Sequence, residues 1–178
     1  LTTPSPVVLT TAEKSLEAAK AFALSKNIGS EIFSDCIEGE AQEVGAVFGA
    51  MAKWISKKNT VLKKPVVLLS GGETTVTVKG NGRGGRNTEF LLSFANVANG
   101  ANGIYAIAAD TDGIDGSEDN AGATYSPETI RKGIDAGVDL ASHLNANDAY
   151  SYFSVTGDLL VTGPTRTNVN DFRAILII

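Results

Sequence analysis

The sequence is poor in the side chains that build many common sites. It has one cysteine, Cys36, and one histidine, His143, among 178 residues. A lone cysteine excludes an intrachain disulfide and any cysteine-rich zinc site, which leaves Cys36 as a buried, inert thiol. A lone histidine excludes zinc centres built on several imidazoles and makes any Ser/His/Asp triad depend on that residue; its helical spacing with Leu140 and Leu144 assigns it to structure. No apolar run is long enough to span a bilayer, and the first residues lack the basic start and apolar stretch of a signal peptide. The cytoplasm is therefore the expected compartment. No long run of like charge appears and the net charge is −5, so neither nucleic acid nor an anionic membrane is an expected partner.

What is present suits one globular domain, since 43% hydrophobic residues in a chain of this length can bury a core. The chain begins at Leu1 with Thr2-Thr3-Pro4-Ser5-Pro6, which reads as a linker and suggests a piece of something longer. Val7 to Thr10 reads as a short buried strand. Thr10 and Glu13 have capping-box spacing ahead of a helix from Ala12 to Lys26. Glu31 to Ser34 can form a second strand. Ala41 to Lys57 carries Val44, Val47, Phe48, Met51, Trp54 and Ile55 at helical spacing, with Trp54 expected in the core. Lys57, Lys58, Lys63 and Lys64 read as solvated cations near a helix end. Pro65 to Ser70 resembles a central strand, and Gly71-Gly72 is expected to turn it into a hairpin with Thr74 to Lys79. Further on, helices are expected over Thr88 to Ala98, from Ser126-Pro127 to Gly137, and over Asn147 to Phe153. Strands are expected over Ile104 to Ala109, Leu159 to Thr162 and Phe172 to Ile178. This alternation predicts a layered α/β/α domain with a mixed, mostly parallel sheet.

Three constellations could carry chemistry. The first runs from Lys79 to Asn87, a glycine-rich loop with Lys79, Arg83 and Arg86 beside it, where backbone N–H groups of Gly84 and Gly85 and a helix N-terminus can hold phosphate oxygens. Gly80, Gly82 and Gly85 formally match a dinucleotide pattern, but the half-polar strand before them does not suit it, and Arg86-Asn87 replaces the Lys-Ser/Thr of a Walker loop. The alternative is a mobile hairpin loop whose glycines serve backbone shape only. The second is Asp110-Thr111-Asp112-Gly113-Ile114-Asp115-Gly116, at the carboxyl end of an expected core strand, where ligands of open α/β sheets bind. Asp110 and Asp112 could hold Mg²⁺, or one could take a hydroxyl proton; an Asp/Gly turn cluster is the alternative, and the glycine spacing does not fit a calcium loop. The third, Thr162 to Asp171, offers Thr165, Asn168 and Asn170 to phosphate or hydroxy-acid oxygens, or to its own turn backbone.

Four ordered strings, Leu69-Ser70-Gly71-Gly72-Glu73-Thr74-Thr75-Val76, Gly84 to Glu89, Ala109 to Gly116 and Thr162 to Asp171, resemble the MOFRL domain of class II glycerate kinases. Ser34 to Ala41 resembles the segment leading into that domain, so residues 1–64 form a leading segment and 65–178 a MOFRL-like core of one domain. The resemblance implies the C-terminal half of a two-domain enzyme that transfers the γ-phosphoryl of ATP, with Mg²⁺, to D-glycerate, commonly giving 2-phosphoglycerate. Arg86 matches the arginine implicated in the family's catalysis. Lys79, Arg83, Gly84, Gly85, Asn87, Thr165, Asn168 and Asn170 are the matching candidates for substrate and nucleotide, and Asp110 and Asp112 for metal and catalysis. The missing N-terminal domain is the implied partner, without which the chain would be inactive; a homodimer is compatible with it. Arg166 stands where the family more often has a small residue. The alternatives are an NAD(P)H-dependent hydroxypyruvate reductase, a label the family has carried, and a non-catalytic ligand-binding or partner domain.

Overall fold

The computed structural model describes residues 11–58 and 60–178. In chain order it contains α1 (Ala12–Ser25), β1 (Gly29–Glu40), α2 (Ala41–Lys57), β2 (Val66–Thr75), α3 (Arg86–Ala98), β3 (Ile104–Asp110) and β4 (Gly122–Tyr125). There follow α4 (Thr129–Asp135), α5 (Leu140–Asn145), α6 (Ala149–Thr156), β5 (Leu159–Leu160) and β6 (Asp171–Ile177). The strand expected over Val7 to Thr10 lies outside the described residues. Thr11, not Thr10, caps α1, its hydroxyl accepting from Lys14 N at 3.2 Å.

The strands form one six-stranded sheet in the order β1-β2-β6-β3-β4-β5. Only β1 and β2 pair in parallel; the other four pairings are antiparallel. The sheet is mixed as expected but not mostly parallel. The reason is the last strand, which inserts between β2 and β3 and opposes both, while β4 returns directly from β3. β1, β2 and β3 consequently share one direction, and their carboxyl ends share one edge with the start of β6.

One face of the sheet carries the main core. Val66, Leu68, Ile104, Ala106, Ala108, Ile175 and Ile177 meet Phe48, Phe90, Leu91, Phe94 and Tyr152 from the helices. Alternation along β2 turns Leu69 to the other face, where α1 supplies buried Leu16 and Ala23. Among the described residues, that face is open beyond α1 over Val67, Tyr105, Ile107, Ala174 and Leu176. Helices therefore lie on both faces, as a layered α/β/α domain requires. Among the described residues, no helix is long and apolar enough to cross a membrane.

Four local expectations change. β2 continues straight through Gly71-Gly72 to Thr75 without a hairpin. Gly72 has φ +125°, and an added Cβ would stand 2.2 Å from Ile37 N and O, so glycine serves the close approach of the irregular end of β1. β1 itself runs on past Ser34 to Glu40, so that Cys36 lies exposed rather than buried. Trp54 is 59% exposed rather than in the core. The buried stripe of α2 is Ala41, Gly45, Phe48, Gly49, Ala52 and Ile55, and Trp54 falls off it, beside Met51, Val61 and Leu62 in an apolar groove of about 780 Å³.

This division between core and periphery is measurable. Phe94 is fully buried and packs edge-on against Tyr125 with centroids 5.3 Å apart. Phe94→Ala is expected to cost about 3–5 kcal/mol, whereas Trp54→Ala should cost under about 1 kcal/mol. Urea denaturation of the two variants checks the order; equal losses would contradict it.

Candidate active site

The sheet edge collects its side chains by register. Asp171, the first residue of β6, pairs with Gly72 of β2 on one side and Asp110 of β3 on the other. Arg173, two positions on, projects to the same face as Asp171 and is fully buried. Its Nη2 donates to Asp171 Oδ2 at 2.5 Å and to Thr74 Oγ1 at 3.0 Å, and its guanidinium lies 4.9 Å from the Phe90 ring centroid. Burial lowers the pKa of Arg173, a shift opposed first by the Asp171 charge.

The amino end of α3 supplies the other half. Arg86 Nε donates to Asp171 Oδ1 at 2.8 Å, Nη2 donates to Asp110 Oδ2 at 2.5 Å, and Nη1 stands 3.7 Å from Glu73 Oε1. Asn87 adds a 2.8 Å bond from Nδ2 to the same Asp171 Oδ1. Asp171 is thus held between two guanidiniums, and Arg86 is held by two carboxylates of adjacent strands. Burial alone would lower the Arg86 pKa, but Asp171, Asp110 and Glu73 together raise it. Arg86 also lines an open cleft of about 620 Å³ with Glu38, Gly39 and the Glu73–Val76 segment.

Asp110 behaves differently. Its Oδ1 accepts from Asp112 N at 3.0 Å. Desolvation pushes its carboxyl from the ordinary 3.8 up to about 6, against the opposing pull of that hydrogen bond and of Arg86.

The glycine-rich loop is committed to the protein. Asp115 is buried, and its carboxylate accepts from Asn87 N at 2.9 Å, Thr88 N at 2.8 Å and Thr88 Oγ1 at 2.9 Å, filling the N-terminus of α3. Gly85 permits this: a Cβ there would stand 2.4 Å from Asp115 Oδ1. Backbone N–H groups of Lys79 and Gly80 donate to Asn147 Oδ1, that of Gly82 to Ala146 O, and that of Arg83 to Asp148 Oδ1. The Arg83 guanidinium pairs with Glu118 and lies 4.4 Å from the Tyr150 ring centroid, while the Lys79 side chain is exposed. The expected phosphate cradle at this helix terminus is therefore occupied by a carboxylate. Asn87 is fully buried and its amide donates to Asp115 and Asp171.

The third constellation is an exposed loop fastened to the acidic turn. Thr165 N donates to Asp112 O at 2.9 Å, Thr165 Oγ1 donates to Thr111 O at 2.5 Å, and Thr111 N donates to Asn170 O at 3.2 Å. Asn168 Oδ1 accepts from Asn170 N at 3.1 Å. With Asp112 and Ile114, Pro164 and the Arg166–Asn168 segment line a second cleft of about 350 Å³.

Among the described residues, no group of three or more His, Cys, Asp or Glu could hold a metal ion. Asp110 Oδ2 is spent on Arg86, whereas Asp112 accepts from Ile114 N through Oδ1 at 2.8 Å and keeps Oδ2 without a hydrogen bond among the described residues. Asp112 Oδ2 would suit a Mg²⁺ ion that takes most of its ligands from elsewhere.

The structure thus brings Arg86, Asp110 and Asp112 together at one edge, with Thr165, Asn168 and Asn170 beside the turn. Sequence reasoning named neither Glu73 nor Asp171 as a site residue, and it passed over Arg173. The signal for Arg173 was an arginine alternating with Phe172 and Ala174 inside an otherwise apolar strand.

The MOFRL family model matches residues 66–171. An Agrobacterium vitis protein provisionally named hydroxypyruvate reductase is 53% identical over 164 residues, 91% of this chain and 37% of the relative. D-glycerate 2-kinase of Thermotoga maritima is 41% identical over 166 residues, 93% of this chain and 40% of the relative. The crystal structure of a glycerate kinase from Thermotoga maritima superposes with a TM-score of 0.92 at 40% identity, over 94% of this chain and 41% of that one. The chain spans about two fifths of the length of these relatives.

Two measurements follow. Asp171→Ala should cost on the order of 3–5 kcal/mol, because it leaves Arg173 buried without its counter-ion; urea unfolding reads the loss, and a loss near zero would contradict the clamp. Asp110 has its folded pKa raised, so the stability it contributes is fully present below about pH 4 and is lost as pH rises through about 6. The stability of the wild type relative to Asp110→Asn should fall over that interval, and a flat difference would contradict the shift.

Proposed function

This chain belongs to the MOFRL family, and we propose that it forms the arginine-bearing wall of the active site in an ATP-dependent glycerate kinase. The observation that carries the reading is Arg86, whose guanidinium is fixed by Asp110 and Asp171 while its side chain stays 27% exposed beside an open cleft. Phosphoryl transfer asks mainly for positioning and for cations already aimed where charge shifts in the transition state. An arginine held by carboxylates on two adjacent strands requires little reorganisation to meet a transferring phosphoryl. Kinase names among its relatives support the same reaction class.

In this mechanism D-glycerate and ATP meet at the sheet edge, Arg86 faces the transferring group, and Asp112 would hold the nucleotide's metal. Mg²⁺, when bound, would supply positive charge against the nucleotide's phosphates. Asp110 fixes Arg86, and the raised pKa of Asp110 ties that pairing to pH. The remaining walls come from the segment that the longer relatives carry and this chain does not span; without it the chain is expected to be inactive. The hydroxypyruvate reductase reading is weaker. The glycine pattern that suggests a dinucleotide leads into a helix end already filled by Asp115, and a buried carboxylate there would repel a pyrophosphate.

The test joins this chain to the segment present in the Thermotoga relative and follows ADP release with D-glycerate and ATP, alongside NADH oxidation with hydroxypyruvate. Turnover in the first assay only is expected. Arg86→Ala should lower kcat on the order of 100-fold or more with little change in ATP affinity. Hydroxypyruvate-dependent NADH oxidation, or a near-normal kcat in Arg86→Ala, would overturn the assignment.

A further inference from the structure

Two clefts open at the sheet edge, and their cations differ. Arg86, in the first, already faces Glu73, Asp110 and Asp171. Arg173 behind it is paired with Asp171 and buried. Arg166 lines the second cleft with Asp112, Ile114, Pro164, Thr167 and Asn168, and it forms no salt bridge among the described residues. At an edge that carries Glu38, Glu73, Asp110, Asp112 and Asp171, the cation with most charge left for an anionic substrate is one not already paired.

The backbone at Arg166 supports the same choice. Its φ is +62°, a left-handed conformation that costs a long side chain on the order of 1–2 kcal/mol. The loop is fastened on either side of it: Thr165 N and Oγ1 donate to the carbonyls of Asp112 and Thr111, and Thr165 Oγ1 accepts from Thr167 N at 3.2 Å. These bonds fix the loop against the acidic turn, so Arg166 is presented from a defined backbone position. Asp112 lines the same cleft, and its charge would repel a second carboxylate on the ligand. Thr167 and Asn168 add further polar groups.

We propose that the Arg166 cleft is a subsite for the carboxylate of a hydroxy-monocarboxylic acid, with Arg166 strengthening this chain's own preference for such an acid over an uncharged polyol. This inference rests on the kinase reading for its catalytic consequence, but binding at the cleft is separable from turnover. A charge-assisted, bidentate contact of this kind is worth about 10- to 100-fold in affinity.

The experiment uses the chain joined to the segment of its longer relatives and compares wild type, Arg166→Gly and Arg166→Lys. Glycine suits the positive φ, so Arg166→Gly removes the cation without a backbone penalty and should melt no lower than wild type. The expected result is a KM for D-glycerate raised about 10- to 100-fold in Arg166→Gly and partly restored in Arg166→Lys, with the KM for ATP changed less than about twofold. Preference for D-glycerate over glycerol should fall by a similar factor. An unchanged KM for glycerate would overturn the proposal, as would a raised KM for ATP in its place, which would assign Arg166 to nucleotide phosphates. Calorimetric titration with D-glycerate separates the two readings. If no turnover occurs but D-glycerate binds wild type and not Arg166→Gly, the kinase reading fails and the subsite stands; if D-glycerate binds both equally, the subsite fails.

Discussion

The Asp171 carboxylate, shared between the guanidiniums of Arg86 and Arg173, is the interaction on which the rest of the site depends. It stands where β2, β6 and β3 meet, and one of its oxygens also takes the Asn87 amide at the start of α3. Sheet and helix are therefore locked at one carboxylate. Arg173 is too deeply buried to meet a ligand, and Arg86 lines a cleft. A buried ion pair of this kind adds little net stability, but removal of either member strands a charge, so it fixes geometry.

The glycine-rich loop illustrates how a suggestive pattern can serve packing. Its glycines let Asp115, Ala146 and Asp148 approach the backbone at distances that a Cβ would forbid. The helix dipole at α3 is answered by Asp115 from within the chain. Charge available to a ligand is left to side chains along the sheet edge, which is why the clefts and their arginines carry the functional reading.

Much of this was legible in the sequence because periodicity reports burial. The bounds of α2 coincide with the expected Ala41 to Lys57, and β3 ends at Asp110 as its apolar run does. Arg86, Asp110 and Asp112 were recognisable from glycine- and aspartate-rich strings at the carboxyl end of a strand. What was not legible depends on contacts distant in sequence. Gly71-Gly72 looks like a turn until β1 is seen pressing on it, and Trp54 looks like core until α2 is docked on α3 by another stripe. The insertion of β6 between β2 and β3 leaves no local signal, and without it neither the antiparallel majority nor the pairing of Asp171 with Asp110 could be read. β4 escaped because four residues, Gly122 to Tyr125, carry too little pattern.

On this reading the carboxylate clamp aims Arg86 at a transferring phosphoryl group. The most direct measurement is a crystal structure of the chain joined to the segment of its longer relatives, with Mg²⁺, ADP, aluminium fluoride and D-glycerate bound. The fluoride plane is expected within hydrogen-bond reach of Arg86, with the Asp171 and Asp110 contacts retained. A fluoride plane out of reach of Arg86, or an Arg86 released from both carboxylates, would contradict it.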